Sequence, residues 1–261
     1  MATSIVSNNT AATHANSPQK TGEALDHATF LSGKALEFDG VNDYAQIDYT
    51  HTDESFTVAF WVMLHSTPTN NYMSSVIANS YNHIGFYTSR TIYWRQRNGL
   101  GNAWCWDAND NQTGSTALSL NTWHRVVCIH NKSRDQRVYV DGAPGTGDAT
   151  NGVYKEYTGS ISTSSTYGYK YIGKAASGNF DGKICDLQIW RNIAWSSDDV
   201  EYDYKNPEKL VTSRSGTNTT TAHLNRWYPM NDSGTGNSRV GQTILFDAAG
   251  TNNTTKNHAT T

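Results

Sequence analysis

The stretch Ser-Phe-Thr-Val-Ala-Phe-Trp-Val-Met-Leu at 55–64 is apolar in both of its alternating sets of residues. One set holds Phe56, Val58, Phe60 and Val62, and the other holds Ala59, Trp61 and Met63. Successive side chains of a strand point to opposite faces, so a strand that is apolar on both faces must be covered on both. The stretch therefore predicts a central strand of a layered β-structure.

Ten further strand-like runs lie on both sides of this stretch, separated by turns rich in Gly, Asn and Asp. They are 35–38, 44–47, 75–79, 84–87, 91–97, 103–106, 123–130, 137–140, 169–173 and 183–190. Short strands at this spacing, joined by turn-forming residues, are typical of an antiparallel β-sandwich or jelly roll. The fold class expected is all-β.

One short helix is predicted near 196–205. Ser196 is suited to cap its N-terminus, and Asp199, three residues later, can return the second bond of a capping box. Pro207 cannot continue a helix, so the helix should end before it.

The composition excludes several classes of protein. Only 16% of the 261 residues are charged, 11% are aromatic, and the net charge is −3. Disordered chains are poor in aromatics, and nucleic-acid binding needs a basic face, so neither is expected. No stretch approaches the roughly 20 apolar residues of a membrane span. Cys105, Cys128 and Cys185 form no Cys-x-x-Cys pair, which favours free thiols packed in strands over one disulfide and a spare cysteine.

Six motifs in order resemble the laminin G-like, concanavalin A-like jelly rolls. They are Ala-Leu-Glu-Phe-Asp-Gly-x-x-Asp-Tyr (35–44), Phe-Thr-Val-Ala-Phe-Trp-Val (56–62), Trp-His-Arg-Val-Val (123–127), Arg-Val-Tyr-Val-Asp-Gly (137–142), Tyr-Ile-Gly-Lys (171–174) and Phe-Asp-Gly-Lys-Ile-Cys-Asp-Leu-Gln-Ile-Trp (180–190). The resemblance implies a concanavalin A-like sandwich. It says much less about function, because one fold serves many functions.

The chain divides into three parts on this basis. Residues 1–33 form an N-terminal arm, 34–210 the jelly roll, and 211–261 a Thr/Asn-rich C-terminal segment. Proteins of the resembled family often begin with a Trp-containing strand, and here Trp-Tyr-Pro-Met-Asn-Asp-Ser-Gly (227–234) looks like that opening but stands near the end. We hypothesise that this segment supplies the missing first strand to its own sandwich or to a neighbour. A degenerate second repeat or a polar tail is the alternative.

A saccharide-binding surface is predicted from aromatic and planar polar residues. The candidates are Tyr93, Arg95, Arg97, Trp104, Trp106 and Tyr139. Sugar rings stack on aromatic faces while planar polar groups bind hydroxyls. Strand alternation predicts that Tyr93, Arg95 and Arg97 are exposed and that Trp94 lies in the core. A subunit interface would use the same residue types.

The family resemblance also implies a structural calcium ion. Asp39, Asp43 and Asp186 are the candidate ligands, since the first motif and the strand of Asp186 are expected to lie near one another. The alternative is that Asp39 and Asp141 form turns before glycine.

Catalysis is not expected. Glucanases of this broad fold carry paired carboxylates on a strand, whereas the nearest string here, Glu201-x-Asp203 with Glu208, falls on the predicted helix and its exit. His124 matches a position where the resembled family commonly has His, which favours a packing role.

The function expected is that of a non-catalytic phage or virus structural protein, such as a capsid decoration, tail or fibre component that displays a lectin-like domain. The chain starts at Met1 without an export signal, while relatives of the fold usually act outside cells. Other virion proteins, further copies of the chain and glycans are the expected partners. The alternatives are a secreted or surface glycan-binding module and a polysaccharide-degrading enzyme with a degenerate site.

Overall fold

In the residues that it describes, the computed structural model forms an antiparallel β-sandwich with one α-helix. It describes residues 35–50, 54–69, 74–79, 82–97, 103–106, 117–132, 135–144, 153–156, 168–175, 178–207, 209–230, 244–245, 249 and 254–257. The strands are β1 (Leu36–Asp39), β2 (Tyr44–Tyr49), β3 (Phe56–Leu64), β4 (Ser74–Ala78), β5 (His83–Phe86), β6 (Ile92–Arg97), β7 (Ala103–Trp106), β8 (Trp123–Asn131), β9 (Asp135–Val140), β10 (Ala143–Pro144), β11 (Val153–Glu156), β12 (Tyr169–Ile172), β13 (Lys174–Ala175), β14 (Gly178–Asn179), β15 (Asp181–Arg191), β16 (Leu224–Tyr228), β17 (Ile244–Leu245) and β18 (Thr254–Asn257).

Two eight-stranded sheets make up the sandwich. Sheet A has the order β1-β15-β3-β8-β9-β10, with β16 also on β15 and β11 also on β9. Sheet B has the order β17-β18-β2-β12-β4-β5-β6-β7, while β13 and β14 pair with each other. All eleven predicted runs are strands, so the all-β prediction is confirmed.

The core lies between the sheets and is built by one alternating set of each strand. Strand β3 contributes Phe56, Val58, Phe60 and Val62 to this core. It lies between β15 and β8 in sheet A and is therefore the central strand that its sequence predicted. Cys128 and Cys185 are free and buried, and burial raises the pKa of both thiols well above the usual range. Trp61, Trp123 and Trp190 are buried too.

The opposite face of sheet A is also covered, by helix α1 (Ser197–Lys205) and the segment after it. Ala59, Tyr139 and Trp190 of the sheet form a second cluster with Trp195 and Val200. This cluster is why both faces of β3 are apolar.

The helix begins with the predicted capping box. The Asp199 N–H donates to Ser196 Oγ at 3.1 Å, and the Ser196 N–H donates to Asp199 Oδ2 at 3.1 Å. The helix ends at Lys205, before Pro207. In the described part of the chain, no helix combines the length and hydropathy needed to cross a membrane.

The C-terminal segment joins this chain's own sandwich. Strand β16 pairs with β15 from Leu187 to Trp190, and β1 pairs with the same edge of β15 from Asp181 to Ile184. Both run antiparallel to β15, so β16 and β1 lie end to end and together act as one long edge strand. The Trp227 strand thus occupies the place before the first motif in space, although it follows that motif in sequence.

Candidate functional site

The face of sheet B that points away from the core carries a row of residues in register across five strands. Residues directly opposite each other on paired strands share a face. The pairings join Gln46 of β2 to Tyr171 of β12, Tyr171 to Ala78 of β4, Ala78 to His83 of β5, and His83 to Arg95 of β6. We call these five residues the outer row. Their neighbours along the strands, including Ile77, Ile84 and Trp94, point into the core.

One end of the outer row holds two half-buried tyrosine rings beside two lysines. The rings of Tyr44 and Tyr171 meet edge to face, with centroids 5.4 Å apart. Lys174 Nζ lies 4.2 Å from the centroid of the Tyr44 ring and 5.6 Å from that of Tyr171. Lys170 Nζ lies 5.3 Å from the Tyr171 centroid. This arrangement places aromatic surface and positive charge together at the solvent boundary.

The middle of the same face is buried, which corrects one prediction. Trp94 lies in the core as expected, but Tyr93 is only 1% exposed rather than exposed. Its ring packs edge to face on Tyr87 at 5.0 Å and lies 6.3 Å from the His83 ring. Strand alternation identified the correct face for Tyr93, but alternation says nothing about what covers that face.

Burial changes the acid–base behaviour of His83. The side chain is 6% exposed, and burial, assisted by the positive charge of Arg95, lowers the pKa of His83 from 6.5 to about 4. His83 is therefore neutral in the folded protein near pH 6, whereas an unfolded chain would bind the proton there.

This shift predicts a loss of stability in acid. As the pH falls from 6.5 to 4, the unfolded chain takes up a proton that folded His83 does not, which costs about 3 kcal/mol of unfolding free energy. Urea unfolding at pH 7.5 and at pH 4.5 measures this fall in unfolding free energy. The fall between the two pH values should be smaller for His83→Gln than for wild type. His223→Gln is the control. Equal losses in wild type and His83→Gln would contradict the prediction.

Among the remaining predicted saccharide-binding residues, the structure describes the side chains of Arg95 and Tyr139, and it does not bring these two together. Arg95 belongs to the outer row and is half-buried, while Tyr139 lies on the far side of the molecule in the cluster under the helix, 2% exposed. The side chains of Arg97, Trp104 and Trp106 lie outside the described residues. Strand register pairs Trp106 with Trp94 rather than with Tyr93 or Arg95. A role in binding stays a prediction for all of these residues.

The candidate calcium ligands Asp39 and Asp43 build a turn. Asp39 Oδ1 accepts hydrogen bonds from the backbone N–H of Val41 at 2.8 Å and of Asn42 at 3.2 Å. Asp43 Oδ2 accepts from the Asp39 N–H at 3.0 Å. Side-chain oxygens that bond backbone amides in this way stabilise the turn, which is the alternative role considered for Asp39.

The first motif lies beside the strand of Asp186 as expected, because β1 pairs with β15, but Asp186 itself is not near the Asp39 turn. The residue opposite Asp39 on β15 is Asp181, and Asp186 lies five residues further along, roughly 15 Å away. No group of three or more His, Cys, Asp or Glu among the described residues could hold a metal ion. These three aspartates therefore do not fit a shared calcium site.

Asp186 belongs instead to a buried ionic network. A β-bulge between Cys185 and Gln188 places Asp186 at a positive φ of 48°. Its carboxylate accepts from Arg125 at 2.9 Å, from the indole N–H of Trp227 at 2.7 Å and from Gln188 Nε2 at 2.8 Å. Burial raises the pKa of Asp186 to about 6, and the charge of Arg125 acts in the opposite direction.

The carboxylates considered for catalysis are held in structural contacts. Asp203 accepts two hydrogen bonds from the Arg125 guanidinium, at 2.7 and 2.9 Å, and is 2% exposed. Glu201 is exposed and pairs with Lys205 at 2.7 Å. Glu208 lies outside the described residues.

His124 also makes structural contacts, through both ring nitrogens. Nδ1 lies 2.7 Å from Asp141 Oδ2, and Nε2 accepts the Ser119 N–H at 3.1 Å. Asp141 is in the turn conformation, with φ 53°, ahead of Gly142. His124 therefore ties β8 to the hairpin, in keeping with the packing role expected of it.

The sequence analysis missed the four aromatic and basic residues at one end of the candidate site, which are Tyr44, Lys170, Tyr171 and Lys174. Three of them stand inside the motifs at 35–44 and 171–174, which served only to identify the fold. Alternation places Tyr44 opposite in face to the apolar Ala45 and Ile47, which is the signal that could have identified it.

Comparison with known proteins agrees with this architecture. The family model described as the concanavalin A-like lectin/glucanases superfamily, of laminin G-like type, matches residues 39–201. A search of curated proteins found no match.

Solved structures align with this chain at low sequence identity. A Bacteroides ovatus protein, suggested to bind carbohydrate, aligns with a TM-score of 0.58 and 16% identity over 85% of this chain and 57% of its own. This chain thus corresponds to little more than half of that protein. Domain 4 of the extracellular arabinanase AbnA from Geobacillus stearothermophilus, solved with arabinotriose, aligns with a TM-score of 0.48 and 13% identity over 67% of this chain and 77% of its own. Because the family model covers more than half of the sequence, this chain belongs to the laminin G-like family of the concanavalin A-like lectin/glucanase superfamily.

Proposed function

We propose that this protein is a non-catalytic carbohydrate-binding domain whose sugar site is the outer row together with Tyr44. The observation that carries the proposal is the half-buried, edge-to-face Tyr44–Tyr171 pair at one end of the row. Aromatic rings offer apolar faces to sugar C–H groups, and Gln46 and Arg95 supply planar hydrogen-bonding groups on the same face.

The spacing of the row suits an oligosaccharide. Tyr171 and Arg95 are three strands apart in the order β12-β4-β5-β6, which is roughly 14 Å at the usual strand spacing. Between these two residues, Ala78 and His83 are only 0% and 6% exposed, so a ligand would contact the row at Tyr171 and Arg95 rather than along its middle. A saccharide that reaches from Tyr171 to Arg95 would need more than one sugar unit.

The lack of catalysis is part of the proposal. Retaining hydrolysis requires two carboxyl groups about 5 Å apart, one of them able to donate a proton. Asp203 is bonded to Arg125 inside the protein, and His124 uses both ring nitrogens. Release of reducing ends from a polysaccharide by the purified protein would contradict this part.

A binding measurement tests the site. On a glycan array followed by calorimetry, wild type should bind at least one oligosaccharide, and Tyr171→Ala should weaken that binding at least tenfold, because it removes the stacking surface. Tyr202→Ala, a half-buried tyrosine on the helix, is the matched control and should bind like wild type. Equal affinities of wild type and Tyr171→Ala would place the site elsewhere.

We further propose that the domain works in an assembly, as a phage or virus capsid decoration, tail or fibre component with other virion proteins and further copies of itself. The polar composition of the two ends of the chain supports this, since Ser, Thr and Asn-rich segments gain order most readily against a partner. A secreted or cell-surface adhesion module is the alternative. Light scattering of the purified protein tests the assembly, and a strict monomer would count against it.

A further inference from the structure

We propose that the carbohydrate site selects acidic saccharides, through Lys170, Lys174 and Arg95. This inference rests on the proposed function and adds the chemical class of its ligand. The shared chemistry is an anionic group on the sugar, supplied by either a carboxylate or a sulfate ester.

The charged side chains that the structure describes around the outer row have one sign. On strands β2, β4, β5, β6 and β12 of sheet B and on the neighbouring strand β13, the described charged side chains are Lys170, Lys174 and Arg95. The protein as a whole has a net charge of −3, whereas the described side chains of this surface carry positive charge. Such a field raises the local concentration of anions and favours their binding.

Two other lysines of the described structure pair with carboxylates. Lys183 lies 3.7 Å from Glu37, and Lys205 lies 2.7 Å from Glu201. The contacts described for Lys170 and Lys174 are instead with tyrosine rings. A cation–π contact leaves the ammonium group able to donate hydrogen bonds on the side away from the ring.

The geometry combines stacking with charge recognition. Lys174 Nζ lies 4.2 Å from the Tyr44 centroid, so a sugar unit beside this ring would bring a carboxylate or sulfate within reach of the ammonium group. Lys170 Nζ, next to Tyr171, offers a second anchor at the same end of the row.

Arg95 adds positive charge further along the row. It is half-buried beside neutral His83, and among the described residues its Nε has no hydrogen-bond partner. A guanidinium binds planar oxyanions through two parallel hydrogen bonds, which suits a carboxylate or a sulfate better than a hydroxyl. The two lysines and Arg95 thus place cations at both ends of a multi-unit ligand.

Matched acidic and neutral sugars test the proposal on the full-length protein. Calorimetry compares oligogalacturonate with its methyl ester, and a sulfated glycosaminoglycan tetrasaccharide with its desulfated form. We expect the acidic member to bind at least tenfold more tightly. The difference should shrink as salt rises from 50 to 500 mM, because salt screens exposed charges.

Lysine variants test whether the preference for acidic sugars depends on Lys170 and Lys174. Lys170→Gln/Lys174→Gln should lose at least tenfold in affinity for the acidic sugar and keep its affinity for the neutral one. Lys205→Gln, on the helix, is the matched control and should bind like wild type. A stronger preference for the sulfated or for the carboxylated sugar supports the proposal and identifies the anion.

The outcomes separate the two proposals. Equal binding of the acid and its methyl ester, with no salt dependence, overturns the acidic preference and leaves the carbohydrate-binding function standing. Binding of no saccharide in either set or on the array overturns the proposed function, and the preference with it. The salt titration uses wild type alone, so it decides the matter even if the double variant does not fold.

Discussion

Arg125→Met should destabilise the protein by about 3–5 kcal/mol, the range observed when one partner of a buried ion pair is removed. Arg125 is 1% exposed and pairs with Asp186 at 2.9 Å and with Asp203 at 2.7 Å. Without the guanidinium, both carboxylates stay buried next to each other without a cation. Urea unfolding at pH 7.5 measures the loss.

A less buried arginine provides the control for that experiment. Arg214 pairs with Asp199 at 2.7 Å, but its side chain is 19% exposed, so Arg214→Met should cost no more than about 1 kcal/mol. The double variant Arg125→Met/Asp203→Leu should recover part of the stability, since it removes one of the two carboxylates. Equal stabilities of wild type and Arg125→Met would show that the network adds nothing to folding.

The protein without residues 224–261 should be unfolded already near 25 °C, so that heating produces no cooperative unfolding transition. The truncation deletes β16, which pairs with half of one edge of β15, and with it the fully buried Tyr228. Loss of one large buried aromatic costs about 3–5 kcal/mol. The whole stability of a domain is about 5–15 kcal/mol. The deletion also removes the indole donor of Trp227 from Asp186. Circular dichroism during heating provides the measurement.

Two companion experiments make this prediction specific to the strand. In the full-length chain, Tyr228→Ala should cost about 3–5 kcal/mol, and Leu224→Ala, at the half-buried start of β16, should cost less. A peptide of residues 224–261 added to the truncated protein should restore the cooperative transition. A truncated protein with an unchanged melting temperature and size would contradict a stabilising role for β16.

The position of the candidate site follows from which face of the sandwich is covered. Helix α1 and the segments before and after it pack on sheet A through Trp195, Val200 and Val211, which removes that face from ligand binding. The half-buried rings of Tyr44 and Tyr171 lie on sheet B, away from both the helix and the core. The outer face of sheet A is therefore covered by packing, whereas the outer face of sheet B presents the half-buried aromatic rings.

The candidate site was predictable only in part. Arg95 was recognised from its strand, because aromatic residues and planar polar residues occur together there. Tyr171 and Lys174 were read only as fold motifs, since their contact with Tyr44 depends on the pairing of β12 with β2, more than 100 residues apart in sequence. The burial of Tyr93 could not be predicted either, because it depends on Tyr87 and His83 packing on its outer face.

The sequence by itself determined the features that depend on local spacing. Alternation in 55–64 determined the central strand, and the Ser196–Asp199 pair determined the start of the helix, because both signals act within a few residues. Only the tertiary structure decided that β16 completes the edge of β15, that the Asp186 carboxylate contacts Arg125, and that the Tyr44 and Tyr171 rings meet. Strand pairing brings together residues far apart along the chain, and the bulge at Asp186 shifts the alternation by one residue, so neither can be derived from a local pattern.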